Sequence, residues 1–181
     1  MKIILKTERL SLRPISENDI ESVFELQSLE QTAKFNTSKV PSDINETKIN
    51  VEKWIAENNK ENIKHFTFAI ELIDEGEFIG LIGLNLGKEH YKNAEVWFQF
   101  DYRFWNKGYA TESLRKILDF GFETLKLHRI EAGCAVDNIG SFSVLEKVGM
   151  LREAHTRQLL PLKSGWSDNY GYAILETDLR K

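Results

Sequence analysis

The chain has 181 residues, 41% of them hydrophobic and 29% charged, with 11 Gly and 3 Pro. That balance fits one folded domain over residues 1–181 and excludes a disordered chain. A formal net charge of −4 argues against a nucleic-acid or membrane-surface protein, and a single cysteine, Cys134, excludes an intramolecular disulfide or a Cys-rich zinc site. The start, "MKIILKTERL", lacks the long apolar core and cleavage site of a signal peptide. No apolar run approaches the roughly 18 residues of a membrane span. A cytoplasmic location is expected.

In chain order, "TERLSLRPIS" alternates Leu10, Leu12 and, past Pro14, Ile15 with polar neighbours, which predicts a half-buried strand. Ser16 with Asp19 has capping-box spacing, and Ile20, Val23, Phe24 and Leu26 follow at helical intervals. A second helix is expected over residues 43–60, with Ile44, Ile49, Val51, Trp54 and Ile55 as its apolar positions. Three strands follow. "HFTFAIEL" and "GEFIGLIGLNL" flank the hairpin signal Asp74-Glu75-Gly76, and "NAEVWFQF" sets Val96, Phe98 and Phe100 on one face. A helix then runs to about Leu125 on the stripe Ala110, Leu114, Ile117, Leu118, Phe122 and Leu125.

"HRIEAGCAV" predicts a strand in which Ile130, Ala132 and Cys134 share a face. Asp137-Asn138 opens a short helix carrying Phe142, Leu145 and Val148, stopped by Gly149. From Leu151 through "DNYGYAILETDL" two last strands are expected, with Pro161 and Gly165 in their connection. The predicted order is β-α-α-β-β-β-α-β-α-β-β, an α/β fold of helices on a mixed sheet.

The stretch "FWNKGYATE", Phe104 to Glu112, joins the third of those strands to its helix. A helix N-terminus offers unpaired N–H groups and partial positive charge, which together attract anions. A diphosphate reaches them only where side chains do not block it, and Gly108 and Ala110 supply such positions. Thr111 adds a hydroxyl and Lys107 a charge at the rim. The pattern is neither the dinucleotide fingerprint nor a P-loop. The structural alternative is that Gly108 only ends a turn and Ala110 only packs.

"NKGYATESL", preceded by "AEVWFQF" and followed by "DNIGSFSVLEKVGM", resembles the GNAT superfamily of acetyl-coenzyme A-dependent N-acetyltransferases, and more narrowly its RimJ/RimL ribosomal-protein branch. The resemblance runs from "TERLSLRPISENDIESVFEL" to the final strands. It implies a GNAT fold in which the strand at 95–100 splays from its neighbour and pairs with the pantetheine arm through Phe98, Gln99 and Phe100. The loop Trp105, Asn106, Lys107, Gly108, Tyr109 and Ala110 then wraps the coenzyme A diphosphate, and Asn138 bonds the arm near the sulfur. Trp105 and Asn106 depart from the family pattern, which often has Gln or Arg and then Gly at these places. Neither change removes a backbone N–H.

The implied reaction is direct attack of an amine on a thioester, which needs a base, an oxyanion donor and a group to receive the thiolate. The oxyanion donor falls to a backbone N–H near Phe98 or Gln99. Many relatives use a tyrosine for the leaving group where this chain has Leu145, whereas the RimJ/RimL-like branch has a serine, here Ser141. Its alternative reading is a helix residue bonding only its own backbone. Glu95 stands where relatives often carry a catalytic glutamate, or it is a solvated or cross-strand-paired carboxylate. Another glutamate used by some relatives is missing from "RQLLPL".

His65, His90, His128 and His155 show no metal-ligand spacing and are expected at strand ends or in loops, and Cys134 reads as a small buried hydrophobe. Trp54, Phe35 and Tyr91 fall in segments that form the acceptor groove in such proteins. There they line it or belong to the core, and Trp166 and Tyr170 share that ambiguity. The expectation is an acetyl-coenzyme A-dependent transferase without a metal, acting on an amine and on neither nucleic acid nor membrane, with a homodimer left open. A protein N-terminus is the preferred acceptor. A small amine, or a coenzyme A-binding sensor without catalysis, is the alternative.

Overall fold

A computed structural model describes residues 3–180, so the first two residues of "MKIILKTERL" and the final lysine lie outside the described residues. Among the described residues eight strands form one sheet in the order β1-β2-β3-β4-β5-β6-β8-β7. They are β1 (Leu5–Lys6), β2 (Leu10–Pro14), β3 (His65–Leu72), β4 (Phe78–Leu86), β5 (Asn93–Phe100), β6 (Arg129–Ala135), β7 (Leu151–Leu162) and β8 (Gly165–Leu175). Neighbours run antiparallel except β5 and β6, which are parallel. The helices are α1 (Ile20–Ser28), α2 (Glu30–Ala33), α3 (Ile44–Asn58), α4 (Tyr109–Asp119) and α5 (Ile139–Lys147).

Alternation along the strands divides the core between the two sheet faces. One face buries Ile82, Leu84, Val96, Phe100, Ile130 and Ala132 against Leu114, Ile117 and Leu118 of α4 and Leu145 and Val148 of α5. The other buries Leu81 against Ile15 after β2, Val23 and Leu26 of α1 and Val51 of α3, with Trp54 and Trp97 packed on the group. The expected stripes of β5, α4 and β6 therefore face a core. The α4 stripe continues through a π-wound turn, Phe120–Thr124, to half-buried Leu125.

The short elements β1 and α2 were not predicted, because two residues and a single turn are too short to display a period. In α3, Ile44 and Ile49 are 40% and 51% exposed while Thr47 is fully buried. The buried stripe is Thr47, Val51, Trp54 and Ile55, and a polar residue at its head hides the helical spacing. Pro161 and Gly165 are not in the last connection. Both are paired strand residues, and Lys163-Ser164 makes the turn. Proline is tolerated there because β7 is an edge strand. His155 likewise lies within β7 and not at a strand end.

Candidate active site

β5 and β6 begin side by side and then part. Asn93, Ala94 and Glu95 pair with Arg129, Ile130 and Glu131, and the ladder ends there. Beyond the fork β5 stays on β4 as far as Phe100, and β6 stays on β8 as far as Ala135. The facing edges of residues 96–100 and 132–135 thus carry main-chain donors and acceptors without a strand partner. An extended ligand can insert there as an added strand. Phe98 is half-buried against the α4-side core, Phe100 is buried, and the Gln99 carboxamide oxygen is buried without a hydrogen-bond partner.

The chain leaving β5 makes a tight turn, Tyr102–Phe104, in which Asp101 accepts from the Arg103 N–H at 2.9 Å. Trp105 donates its indole N–H to the Phe100 carbonyl at 2.9 Å, which staples the loop to the end of the strand. Asn106 and Gly108 both take left-handed backbone, φ 60° and 84°. Asn is among the few non-glycine residues that tolerate this, which explains how it stands where the family pattern often has glycine. The first intrahelical bond of α4 runs from Glu112 N–H to the Gly108 carbonyl. Tyr109, Ala110 and Thr111 therefore present N–H groups with no acceptor inside the helix.

Two reasons given for the loop change. Gly108 is required by its backbone angle more than by clearance, since a Cβ there would meet only the Arg9 guanidinium, at 3.4 Å. Ala110 packs against the core, which is the structural alternative named for it. The loop still opens on a groove of about 450 Å³ lined by Gly108, Thr111 and Glu112 together with cationic Arg9, Arg115 and Lys147. Lys107 is exposed, with its ammonium 5.1 Å from the Phe104 ring centre.

At the end of β6, Asn138 caps α5, its side-chain oxygen accepting from the Ser141 N–H at 3.1 Å. Burial pushes the Cys134 thiol up to about 11, against a lowering by the neighbouring Ser141 hydroxyl. Cys134 therefore stays protonated at neutral pH, as a small buried hydrophobe and no nucleophile. Leu145, where many relatives have tyrosine, is buried. Nearby, Tyr172 donates to Glu146 at 2.9 Å, and burial followed by that bond pushes the phenol up to about 12.

Glu95 lies at the fork on the opposite sheet face, exposed, beside Glu131. Arg129 bonds Glu131 at 2.6 Å and pairs with Glu153 at 2.5 Å. Trp97 shares this face and lies flat on Gly83, where a Cβ would come within 2.3 Å of the ring. Trp54 stands 6.1 Å from it. Tyr91 and Trp166 are 61% and 67% exposed, and Tyr170 packs between Phe142 and His155. Among the described residues no group of three or more His, Cys, Asp or Glu could hold a metal ion, and no helix is long and apolar enough to cross a membrane.

Residues 9–151 match the family model of the acetyltransferase (GNAT) domain. The chain belongs to the GNAT acetyltransferase family. It is 33% identical over 175 residues to the uncharacterized N-acetyltransferase YnaD of Bacillus subtilis, covering 96% of this chain and 98% of that one. Two solved structures share the GNAT fold at lower identity. One is the spermidine N-acetyltransferase of Vibrio cholerae in complex with CoA and spermine (TM-score 0.83, 22% identity, 94% and 98% covered). The other is RimL, a ribosomal L7/L12 α-N-protein acetyltransferase, in complex with coenzyme A (TM-score 0.85, 19% identity, 96% and 98% covered). This GNAT chain is an N-acetyltransferase.

Sequence reasoning missed Arg9, Glu112, Arg129 and Glu153. Arg9 and Glu112 stand in the quoted stretches "TERL" and "YATE", but their pairing spans 103 positions and has no local period to reveal it.

Proposed function

We propose that this GNAT chain acts in the cytoplasm, as one domain over residues 1–181. It moves acetyl from acetyl-coenzyme A directly to a primary amine, and its preferred acceptor is a protein N-terminal α-amine of the RimJ/RimL kind. The observation that carries this is the fork: the β5–β6 ladder stops at Glu95 and Glu131, and the strand with the freed edge runs on through the turn Tyr102–Phe104 and residues 105–108 to the N-terminus of α4. The co-substrate supplies a thioester carbonyl open to attack and a thiolate leaving group. The residues present suit it. N–H groups of the loop from Trp105 and Asn106 through Lys107, Gly108, Tyr109, Ala110 and Thr111 take the diphosphate, as helix mouths do. Phe98, Gln99 and Phe100 offer backbone to the pantetheine arm. The Asn138 amide NH₂ serves the same arm, its oxygen being engaged by the Ser141 N–H.

Ser141 donates its hydroxyl to the departing sulfur, and a backbone N–H at Phe98 or Gln99 faces the developing oxyanion. Glu95 receives the proton of the attacking amine. Magnitudes favour an α-amine: with a pKa of about 7.8 it costs roughly 1 kcal/mol to deprotonate at pH 7, against roughly 4–5 for a lysine near 10.4. A single exposed carboxylate suffices for the smaller task. A polyamine is the second reading, and the specific observation in its favour is that two carboxylate residues, Glu95 and Glu131, are register partners at the fork. We include a homodimer in the proposal. Edge strand β7 supports it, with Leu151 and Leu159 62% and 50% exposed.

The test is thiol release from acetyl-coenzyme A over a panel of N-terminal peptides, polyamines, amino sugars and aminoglycosides, with wild type and Ser141→Ala. Turnover on peptides is expected. Turnover on polyamines or sugars alone would overturn the acceptor, and tight binding without turnover on any amine would make the protein a sensor.

A further inference from the structure

Arg9 gathers the loop before α4 with one side chain. It sits in the turn between β1 and β2, which is closed by Thr7 N–H to the Leu10 carbonyl at 2.9 Å and by Leu10 N–H to the Thr7 hydroxyl at 2.9 Å. Its guanidinium donates to the Lys107 carbonyl at 3.1 Å, lies against Gly108, and covers the Tyr109 ring at 4.5 Å. It also grips Glu112 one turn into the helix, Nε to Oε2 at 2.8 Å with a second contact at 2.5 Å. The other oxygen of Glu112 accepts from the Thr7 hydroxyl at 2.6 Å and the Arg9 N–H at 3.1 Å.

This arrangement answers a physical problem. Two of the four loop residues before α4, Asn106 and Gly108, are left-handed, and such backbone persists only where its surroundings over-determine it. A carboxylate in the first turn of a helix also competes with any anion for the same partial positive charge. Arg9 meets both needs, since it ties Lys107, Gly108 and Tyr109 to the sheet and neutralises Glu112 where the groove opens. Burial alone would raise the Glu112 carboxyl, but the bonds from Thr7 and Arg9 hold it below its ordinary value, so it is ionised.

We propose that Arg9 and Glu112, with Thr7, are positioning residues that preset the backbone cradle for the diphosphate of coenzyme A. They act through the loop N–H groups and not on the reacting atoms. The inference rests on the reading that coenzyme A binds at the mouth of α4.

Calorimetry with two probes, coenzyme A and adenosine 3′-phosphate 5′-diphosphate, tests it on Arg9→Ala, Glu112→Gln and the double variant. Each single change should weaken both probes by the same factor, about 10-fold or more, because the nucleotide probe keeps the diphosphate and lacks the arm. The double variant should be little worse than either single, as expected when two residues serve one network. In thiol release, KM for acetyl-coenzyme A should rise while kcat stays within about 3-fold, which general destabilisation would not produce. Should Arg9→Ala fail to fold, Arg9→Lys and Thr7→Val carry the test, each expected to fall between wild type and Glu112→Gln. Wild type that binds coenzyme A no better than its variants overturns the cradle, as does an equal loss of kcat. Wild type that binds neither probe overturns the functional reading itself.

Discussion

The two edges of β5 behave differently although one backbone carries both. Against β4 the strand pairs without a break from Ala94 with Leu86 to Phe100 with Gly80. Against β6 it pairs only through Glu95. The closed edge is maintained by close approach: a Cβ on Gly80 would lie 2.3 Å from the Gln99 carbonyl oxygen, and one on Gly83 would strike Trp97. The open edge is maintained by divergence, because β6 stays committed to β8 while β5 stays committed to β4. A damaged closed edge should therefore cost stability, and a damaged open end should cost turnover or cofactor affinity.

The largest effect should follow Gly80→Ala, which drives a methyl into backbone that cannot yield. We expect a loss of about 3 kcal/mol in urea unfolding. A change below about 0.5 kcal/mol would mean that the closed edge is looser than described. On the open side, Glu95→Gln should lower kcat at pH 7 by about 100-fold, and about 6-fold of that should return at high pH as an α-amine of pKa about 7.8 loses its own proton. An unchanged pH–rate profile would remove Glu95 from the mechanism. Ser141→Ala should lower kcat by about 10-fold and leave KM for acetyl-coenzyme A in place, the scale of one hydrogen bond to a charged leaving group.

Gly108→Ala should weaken coenzyme A by about 5-fold, the cost of roughly 1 kcal/mol for a side chain in left-handed backbone. Smallest is a pH effect at the loop. Glu112 is held below its ordinary value of 4.5, so its contribution is present above that value and fades as pH falls below it. Other carboxylates, Asp19 and Asp101 among them, are held low as well, so thermal melts of Glu112→Gln should show a smaller loss on acidification than those of wild type, and an equal loss would contradict the role given to Glu112.

What the sequence disclosed was local. The strands β3 and β4, buried on both faces, could be read from the hairpin signal between them, and the faces of β5 and β6 and the stripe of α4 because each residue's neighbours carry the period. The loop proposed to take the diphosphate could be singled out because its glycine, its threonine and the helix they open are contiguous. What stayed hidden depends on residues that only the sheet brings together. Arg9 reaches Glu112 across 103 positions, and Arg129 reaches Glu153 across 24. Buried Thr47 masked the stripe of α3 by being polar. Gly108 was legible as a small residue, but its reason, a positive φ, is a property of the folded turn.

Hydrogen exchange with and without coenzyme A tests the central claim most directly. Amides of residues 96–100 and 106–111 should exchange more slowly once it is added, while those of β3 and of the β7–β8 turn should not change. Slowed exchange elsewhere with none in these two segments would contradict the account.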